Sequence, residues 1–160
     1  MSSLIDFRTP KTLPPTASYS HTAIVPASAK TIFISGQVPM DVTGALVGEG
    51  DFKRQAEKVF ENIEIALADA GTTFDNVVKL GMYLTDMSNL DTLREVRDRF
   101  IQLKAPPTST LVQVTAFFNP AILFEMDAIA VIGGLHVTLW HHNSVCEHRT
   151  AIFLLSQPDK

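Results

Sequence analysis

Two carboxylates, Glu125 and Asp127, lie two residues apart among apolar neighbours near the end of the chain. Residues two apart in an extended strand point to the same face, so the two carboxylates share one face. A carboxylate beside apolar groups can hold a water molecule and move its proton during hydrolysis or enolisation. Alternating acidic and apolar residues are also typical of any half-solvated strand, and the pattern alone favours that structural interpretation.

A second group of reactive side chains follows in the last part of the chain, namely His141, His142, Cys146 and His148. Their spacing fits none of the usual structural zinc patterns, so we predict no metal site, and we expect no cofactor. The lone cysteine excludes a disulfide framework within the chain and fits a reducing compartment. We therefore expect a cytoplasmic protein.

Composition and charge predict a globular protein that binds neither nucleic acid nor membranes. The chain has 160 residues, of which 46% are hydrophobic and 19% charged, which predicts one globular domain. The formal net charge of −4 leaves no basic excess to neutralise phosphates, so we expect no nucleic-acid partner. No segment approaches the ~18 unbroken apolar residues of a membrane span, and no signal peptide is recognisable, so we expect no membrane partner.

The elements that must position Glu125 begin after an N-terminal arm. Three prolines in residues 1–18 favour an extended arm. Residues 20–25 and 31–38 are β-rich runs on either side of a short loop, which predicts a hairpin. Gly36 interrupts the second run, where a glycine indicates a bulge or the close approach of a ligand or another backbone.

Two amphipathic helices and three more strands follow. Asp51 is placed to cap a helix that Gly71 ends, and residues 77–85 alternate as a half-buried strand. Ser88 is placed to begin a second helix, whose predicted apolar stripe continues to Leu103. Residues 109–117 and 122–132 are again β-rich, so the predicted order is ββαβαββ, an α+β fold.

Five ordered strings suggest a family: Tyr19-Ser20-His21, Ile34-Ser35-Gly36-Gln37-Val38-Pro39, Ala68-Asp69-Ala70-Gly71, Pro106-Pro107-Thr108 and Glu125-Met126-Asp127-Ala128-Ile129-Ala130. Together they resemble the Rid family of reactive intermediate/imine deaminases, formerly labelled L-PSP endoribonucleases. The resemblance implies a chorismate-mutase-like fold of the bacillus type, with a mixed sheet packed against two helices. It also implies a homotrimer that binds small molecules in clefts between subunits.

The resemblance assigns roles to several residues. Glu125 matches the family's catalytic glutamate, which places the water that hydrolyses an imine. Tyr19 matches a tyrosine at the mouth of the cleft, although an aromatic packing the arm onto the body remains an alternative. Gly36 matches a glycine that leaves the backbone open to ligand, and Leu111 is a further candidate for substrate binding. The resemblance gives no comparable role to Asp127.

One expected residue is missing. In the family an arginine within a Pro-Thr-Arg string grips the substrate carboxylate, and Ser109 stands at that position here. A serine hydroxyl cannot reproduce a bidentate, charge-assisted guanidinium contact. Arg94 stands where family members commonly carry an asparagine facing the cleft, so it is a candidate replacement. An arginine on the solvated helix face is an equal alternative.

The resemblance therefore predicts a cofactor-independent enzyme that acts on an imine, enamine or enol-type metabolite other than 2-aminoacrylate. The alternative is a non-catalytic trimer that binds a metabolite or a partner protein. A ribonuclease has little support, because the chain has no basic patch and the predicted body, residues 19–133, has His21 alone.

The remaining segment, residues 134–160, extends beyond the Rid-like part. Three alternatives stay open for it. The first is that it covers an edge of the trimer, and the second is that it extends the sheet through Leu135, Val137 and Leu139. The third is that it is an artefact of splicing or of the gene model.

Overall fold

A computed structural model describes residues 4–16 and 18–133. Within these residues, six strands and two helices follow one another in the order β1, β2, β3, α1, β4, α2, β5, β6. Their bounds are β1 Asp6–Arg8, β2 Thr22–Ile24, β3 Lys30–Gln37, α1 Phe52–Asp69, β4 Val77–Leu84, α2 Leu90–Arg97, β5 Thr108–Gln113 and β6 Phe124–Ile132. The predicted ββαβαββ order is confirmed from β2 onward, and β1 precedes it.

The main sheet has four strands in the order β3-β6-β4-β5. Strand β6 is antiparallel to both of its neighbours, whereas β4 and β5 are parallel, so the sheet is mixed as expected. The side chains of Phe124, Met126 and Ala128 are buried against the helices, while Glu125 and Asp127 alternate with them. The two carboxylates therefore lie on the opposite side of the sheet, which we call the open face.

Helix α1 is the main support of the sheet. The Asp51 carboxylate accepts a hydrogen bond from the backbone N–H of Arg54 at 3.0 Å, which caps the first turn. Beyond the last turn, Gly71 adopts a left-handed conformation with φ 77°, which suits glycine. The periodicity predicts a buried stripe that also includes Ala70, which instead follows the helix and is partly exposed. The other six predicted residues are buried, namely Phe52, Ala56, Val59, Phe60, Ile63 and Leu67.

An aromatic cluster fills the space between α1 and the sheet. The ring of Phe60 stacks on Phe100 with centroids 5.0 Å apart and lies 6.3 Å from Phe124. Phe74 packs at 6.0 Å from Phe60 and 5.6 Å from Phe100. These rings form part of the core that supports the sheet from the side opposite to the open face.

Gln55 is a polar residue inside this core. Its side-chain nitrogen donates to the backbone oxygens of Gly48, at 3.1 Å, and Ala121, at 2.8 Å. Its side-chain oxygen accepts from the backbone N–H of Leu123, also at 2.8 Å. One fully buried amide thus ties α1 to the loop before it and to the segment that leads into β6.

The predicted hairpin between the first two β-rich runs is wrong. Strand β2 pairs with β1 from the N-terminal arm, with Phe7 opposite Ala23, and β3 pairs with β6. The reason lies in the side chains. Strand β2 is short and largely exposed, whereas Ile32 and Ile34 of β3 pack into the core beside β6.

The second helix is shorter than predicted. It ends at Arg97, and Ile101 reaches the core from a turn that follows the helix, whereas Leu103 is largely exposed. Its predicted cap is also wrong. Asp86, rather than Ser88, accepts the capping hydrogen bond, at the start of a 3₁₀ turn that leads into α2. No helix within the described residues is long and apolar enough to cross a membrane.

Candidate functional site

The centre of the candidate site is the Glu125 carboxylate on the open face of the sheet. Strand β6 places Glu125 opposite Tyr83 of β4, and Asp127 opposite Gly81. Strand β3 flanks the other side of β6, where Gln37 is opposite Met126. Three adjacent strands therefore hold the groups around Glu125, which is more precise than a loop can be.

Gly36 is placed by a β-bulge in β3. The register shifts between Ile34 and Gln37, so that Ser35 and Gly36 together face a single residue of β6. A side chain at position 36 would overlap the Glu125 carboxylate. The bulge predicted at Gly36 is thus confirmed, and the group that closely approaches this glycine is a side chain of the same chain.

Asp127 is fixed beside Glu125 by two residues that the sequence did not single out. The Tyr83 hydroxyl donates a hydrogen bond to the Asp127 carboxylate at 2.8 Å. A side chain at position 81 would overlap that carboxylate, so Gly81 provides the space that Asp127 occupies. The open face thus holds two carboxylates and a phenol.

The surroundings of Glu125 disfavour the ionised form of its carboxyl. Burial raises the pKa of the Glu125 carboxyl above its ordinary value, and the negative charge of Asp127 raises that pKa further. The pKa of the Tyr83 phenol is also raised, first by its hydrogen bond to Asp127, then by burial and by the charges of the two carboxylates. A carboxyl with a raised pKa is suited to proton transfer near neutral pH.

Tyr19 lies in a different part of the chain. It is 39% exposed, contacts His21 edge-on with centroids 5.6 Å apart, and lines a cavity of about 370 Å³ together with Lys104. The next residue, Ser20, donates through its hydroxyl to the Pro106 oxygen at 2.7 Å and through its backbone N–H to the Pro107 oxygen at 3.1 Å. Tyr19 is thereby held close to the start of β5.

Ser109 and Leu111 occupy strand β5, at the edge of the sheet. Their register partners on β4 are Leu80 and Met82, both of which face the helices. Ser109 and Leu111 therefore point to the helix side of the sheet, and Leu111 packs against the core. Within one chain the sheet separates both residues from Glu125.

Arg94 lies on α2, which covers the same helix side. Its side chain is 52% exposed, and its guanidinium donates to the Asp91 carboxylate at 3.1 Å. Since neighbouring Leu93 and Val96 are buried in the core, Arg94 occupies the outer part of the helix. Arg94 and Ser109 are thus on one side of the sheet and Glu125 on the other, so one chain does not bring all the predicted site residues together.

The described residues contain no group of three or more histidine, cysteine or acidic side chains that could hold a metal ion. The predicted histidine and cysteine group of the last segment lies outside the described residues. Lys104, beside Tyr19, is a cation that the sequence analysis did not single out, because no motif marks it.

Comparisons with known proteins identify the family. Residues 9–132 match the family described as Endoribonuclease L-PSP. The chain is 38% identical to Protein DfrA of Myxococcus xanthus over 122 residues, which cover 76% of this chain and 88% of the relative. It is 34% identical to the 2-iminobutanoate/2-iminopropanoate deaminase of Mus musculus over 104 residues, covering 65% and 76% of the two chains.

Solved structures agree with the sequence relatives. The fold is similar, with a TM-score of 0.75 and 28% identity, to a Yersinia pestis protein of unknown function from the conserved Rid family, over 81% of this chain and 99% of the other. It is also similar to RidA from Psychrobacter sp. PAMC 21119, with a TM-score of 0.59 and 34% identity over 79% and 98%. A match over residues 9–132, a mixed sheet on two helices and these relatives show that the chain belongs to the Rid family and has its chorismate-mutase-like fold.

Proposed function

We propose that this protein is a cofactor-independent enzyme that acts at Glu125 on a small imine, enamine or enol-type metabolite. The observation that carries the proposal is a half-buried carboxyl on the open face, packed against Gly36, with a raised pKa. In imine hydrolysis, water adds to the carbon of the C=N bond, and the C–N bond then breaks to give a carbonyl group and ammonia. The Glu125 carboxylate accepts a proton from the attacking water and passes it to the imine nitrogen, which gives an amino alcohol. It then accepts the proton of the new hydroxyl group and passes it to the nitrogen as the C–N bond breaks, so that ammonia leaves and the carboxylate is restored.

The relatives support this class of reaction. The mouse relative is described as a deaminase of 2-iminobutanoate and 2-iminopropanoate, which are small imino acids. Both would present a C=N carbon to such a water molecule and a carboxylate that needs an anchor. The same carboxyl chemistry would serve tautomerisation of an enamine or enol, because each is a proton transfer at carbon or nitrogen.

The substrate differs from 2-aminoacrylate in our proposal, because Ser109 stands where the carboxylate-binding arginine is expected. A neutral hydroxyl cannot bind a carboxylate in two places as a guanidinium does. Arg94 shares the helix side of the sheet with Ser109. Within the described residues, its one ion pair is with the exposed Asp91. Arg94 is therefore the candidate to contact a substrate anion. A substrate other than 2-aminoacrylate would suit an enzyme of a specialised biosynthetic pathway.

The active form in this proposal is a homotrimer with its sites between subunits. One chain carries two half-sites: Glu125 and Gly36 on the open face, and Tyr19, Ser109 and Leu111 near the edge strand β5. A cleft between subunits would join the first half-site of one chain to the second of its neighbour. The open face also exposes Phe33, with 77% of its surface accessible, as an apolar contact for a neighbouring subunit.

The experiment is an assay of imine hydrolysis in which 2-aminoacrylate and bulkier imino acids are generated in situ and keto-acid release is followed. Wild type, Arg94→Ala and Ser109→Arg are compared, with Lys53→Ala as the control. Lys53 is also an exposed cation paired with a carboxylate, at 2.7 Å from Glu95. We expect wild type to prefer a bulkier imine, Arg94→Ala to raise KM about tenfold, and Lys53→Ala to match wild type.

The opposite results are equally informative. If Arg94→Ala behaves like Lys53→Ala, Arg94 does not bind substrate. If wild type is inactive on every imine and Ser109→Arg gains activity on 2-aminoacrylate, the scaffold is intact, and the natural role is binding or a reaction on a ligand without a carboxylate.

A further inference from the structure

The open face carries a pair of groups that the proposed reaction does not itself require, namely Tyr83 and Asp127. Their hydrogen bond, at 2.8 Å, spans two strands, since Tyr83 is on β4 and Asp127 on β6. The geometry depends on a third residue, because only a glycine at position 81 leaves room for the Asp127 carboxylate. The three residues form one unit that holds a carboxylate at a defined place on the sheet.

This unit adjoins Glu125 directly. Tyr83 is the register partner of Glu125, and Asp127 is the next residue along β6 on the same face. A second carboxylate two residues away on the same face disfavours the ionisation of Glu125.

We infer that Tyr83 and Asp127 are positioning residues for Glu125: the tyrosine hydroxyl fixes the place of the Asp127 carboxylate beside Glu125, so that Glu125 is the proton carrier of the pair. This inference rests on the proposed function. It assigns different roles to the two carboxylates, because Asp127 is anchored by Tyr83, whereas Glu125 packs against Gly36.

The other groups on this side of the sheet are accounted for. Lys79 is the remaining charged residue of β4 that faces the same way, and its ammonium donates to the Thr110 hydroxyl of β5 at 2.6 Å. From β3, the residues nearest to Glu125 are Ser35, Gly36 and Gln37, none of which ionises. Asp127 is therefore the neighbour whose charge acts on Glu125, as the raised pKa of Glu125 also indicates.

The test uses the full chain with Asp127→Asn, which removes the charge at almost constant shape, and Tyr83→Phe, which removes only the hydroxyl. Thr110→Val is the matched control, because it removes a hydroxyl and a hydrogen bond from the same face. Titration of the Glu125 carboxyl is followed by carbon NMR and that of Tyr83 by ultraviolet absorbance. The pH dependence of kcat on the best imine substrate is recorded alongside.

In Asp127→Asn we expect both midpoints, of Glu125 and of Tyr83, to move to lower pH. The acidic limb of the kcat profile should move with Glu125, and kcat at neutral pH should fall about tenfold because Glu125 becomes a weaker base. Tyr83→Phe should lower kcat without a matching change in KM. Thr110→Val should leave all of these unchanged.

The NMR titration separates this inference from the proposed function. If no imine is turned over and yet Asp127→Asn shifts the Glu125 midpoint, the coupling stands and the assigned reaction fails. If imines are hydrolysed and the Glu125 midpoint is the same in wild type and Asp127→Asn, the inference is overturned. A kcat for Tyr83→Phe equal to wild type overturns the role given to the tyrosine.

Discussion

The proposed chemistry depends on a carboxyl group whose ionisation is disfavoured by the fold. Glu125 lies against Gly36, where a side chain would take the space of the carboxylate, and beside a second acidic residue. The charged form of Glu125 is therefore less stable in the folded chain than in the unfolded chain. A carboxyl group with a raised pKa is typical of sites that transfer protons.

The first prediction concerns the pH dependence of stability. Because the pKa of Glu125 is raised on folding, wild type should lose stability as pH rises from the unfolded to the folded pKa of this group. Glu125→Gln should be more stable than wild type at neutral pH, and the advantage should vanish in acid. Thermal unfolding of both proteins between about pH 4 and pH 8 measures this, at one protein concentration because association also shifts Tm.

The prediction would be contradicted by a Glu125→Gln variant that is less stable than wild type at neutral pH. Such a result would mean that Glu125 is stabilised in its charged form by a partner in the assembled protein.

The second prediction concerns Gly36. A methyl group at this position would displace the Glu125 carboxylate, so Gly36→Ala should lower kcat roughly 100-fold, within the range of general acid-base catalysis. Gly133→Ala is the control, because a methyl group there meets nothing within 4 Å and should change little. Steady-state kinetics with circular dichroism of both variants is the measurement. Full activity in a folded Gly36→Ala would show that the position of the carboxylate does not matter.

Sequence reasoning reached Glu125 and Gly36 because five local strings resemble the family. It did not reach the Tyr83-Asp127 pair. These residues are 44 apart in sequence, and their hydrogen bond depends on the register of β4 against β6. The need for glycine at position 81 is likewise visible only once that register is known.

At the level of secondary structure, the helices cover one side of the sheet and leave Glu125 on the other, and their prediction depended on local signals. Helix α1 was predicted closely because its cap, its periodic apolar residues and its final glycine are all local signals. Strand pairing is not local, so the predicted hairpin failed when β2 joined the N-terminal arm. The predicted length of the second helix was wrong for another reason. The apolar spacing continues beyond Arg97 into a turn, where Ile101 is buried without being helical.

The third prediction tests how the elements are joined. Gln55→Leu would leave the backbone groups of Gly48, Ala121 and Leu123 without their buried partner. Each unsatisfied buried group costs about 1–3 kcal/mol, so we expect the free energy of unfolding to fall by roughly 3 kcal/mol. Gln102→Leu, at an exposed glutamine, should change it by less than about 0.5 kcal/mol. Urea unfolding compares the two, and equal losses would show that Gln55 is not a structural tie.

At the scale of the whole molecule, the proposed trimer explains why one chain has two separate half-sites. The sheet stands between Glu125 on the open face and Ser109 on the helix side. In the proposed trimer, a second chain would bring a substrate anchor to the carboxyl. The exposed Phe33 on the open face is a suitable apolar contact for that second chain.

The fourth prediction follows from this arrangement. Wild type should have three times the chain mass of 17.6 kDa in solution, and Phe33→Glu should shift it toward the monomer because a charge would be buried at the interface. Phe118→Glu is the matched control, since Phe118 is 75% exposed and lies in the loop between β5 and β6. Light scattering coupled to size-exclusion chromatography measures the mass. A monomeric wild type would remove the basis for a cleft between subunits.

The most direct test of the account is the turnover of an imine by wild type and by Glu125→Gln, measured on trimers of equal mass and folded content. The account predicts keto-acid release by wild type and a loss of at least about 100-fold in kcat for Glu125→Gln, with KM nearly unchanged. Equal kcat values for the two proteins would contradict it, because the carboxyl on the open face would then take no part in the chemistry.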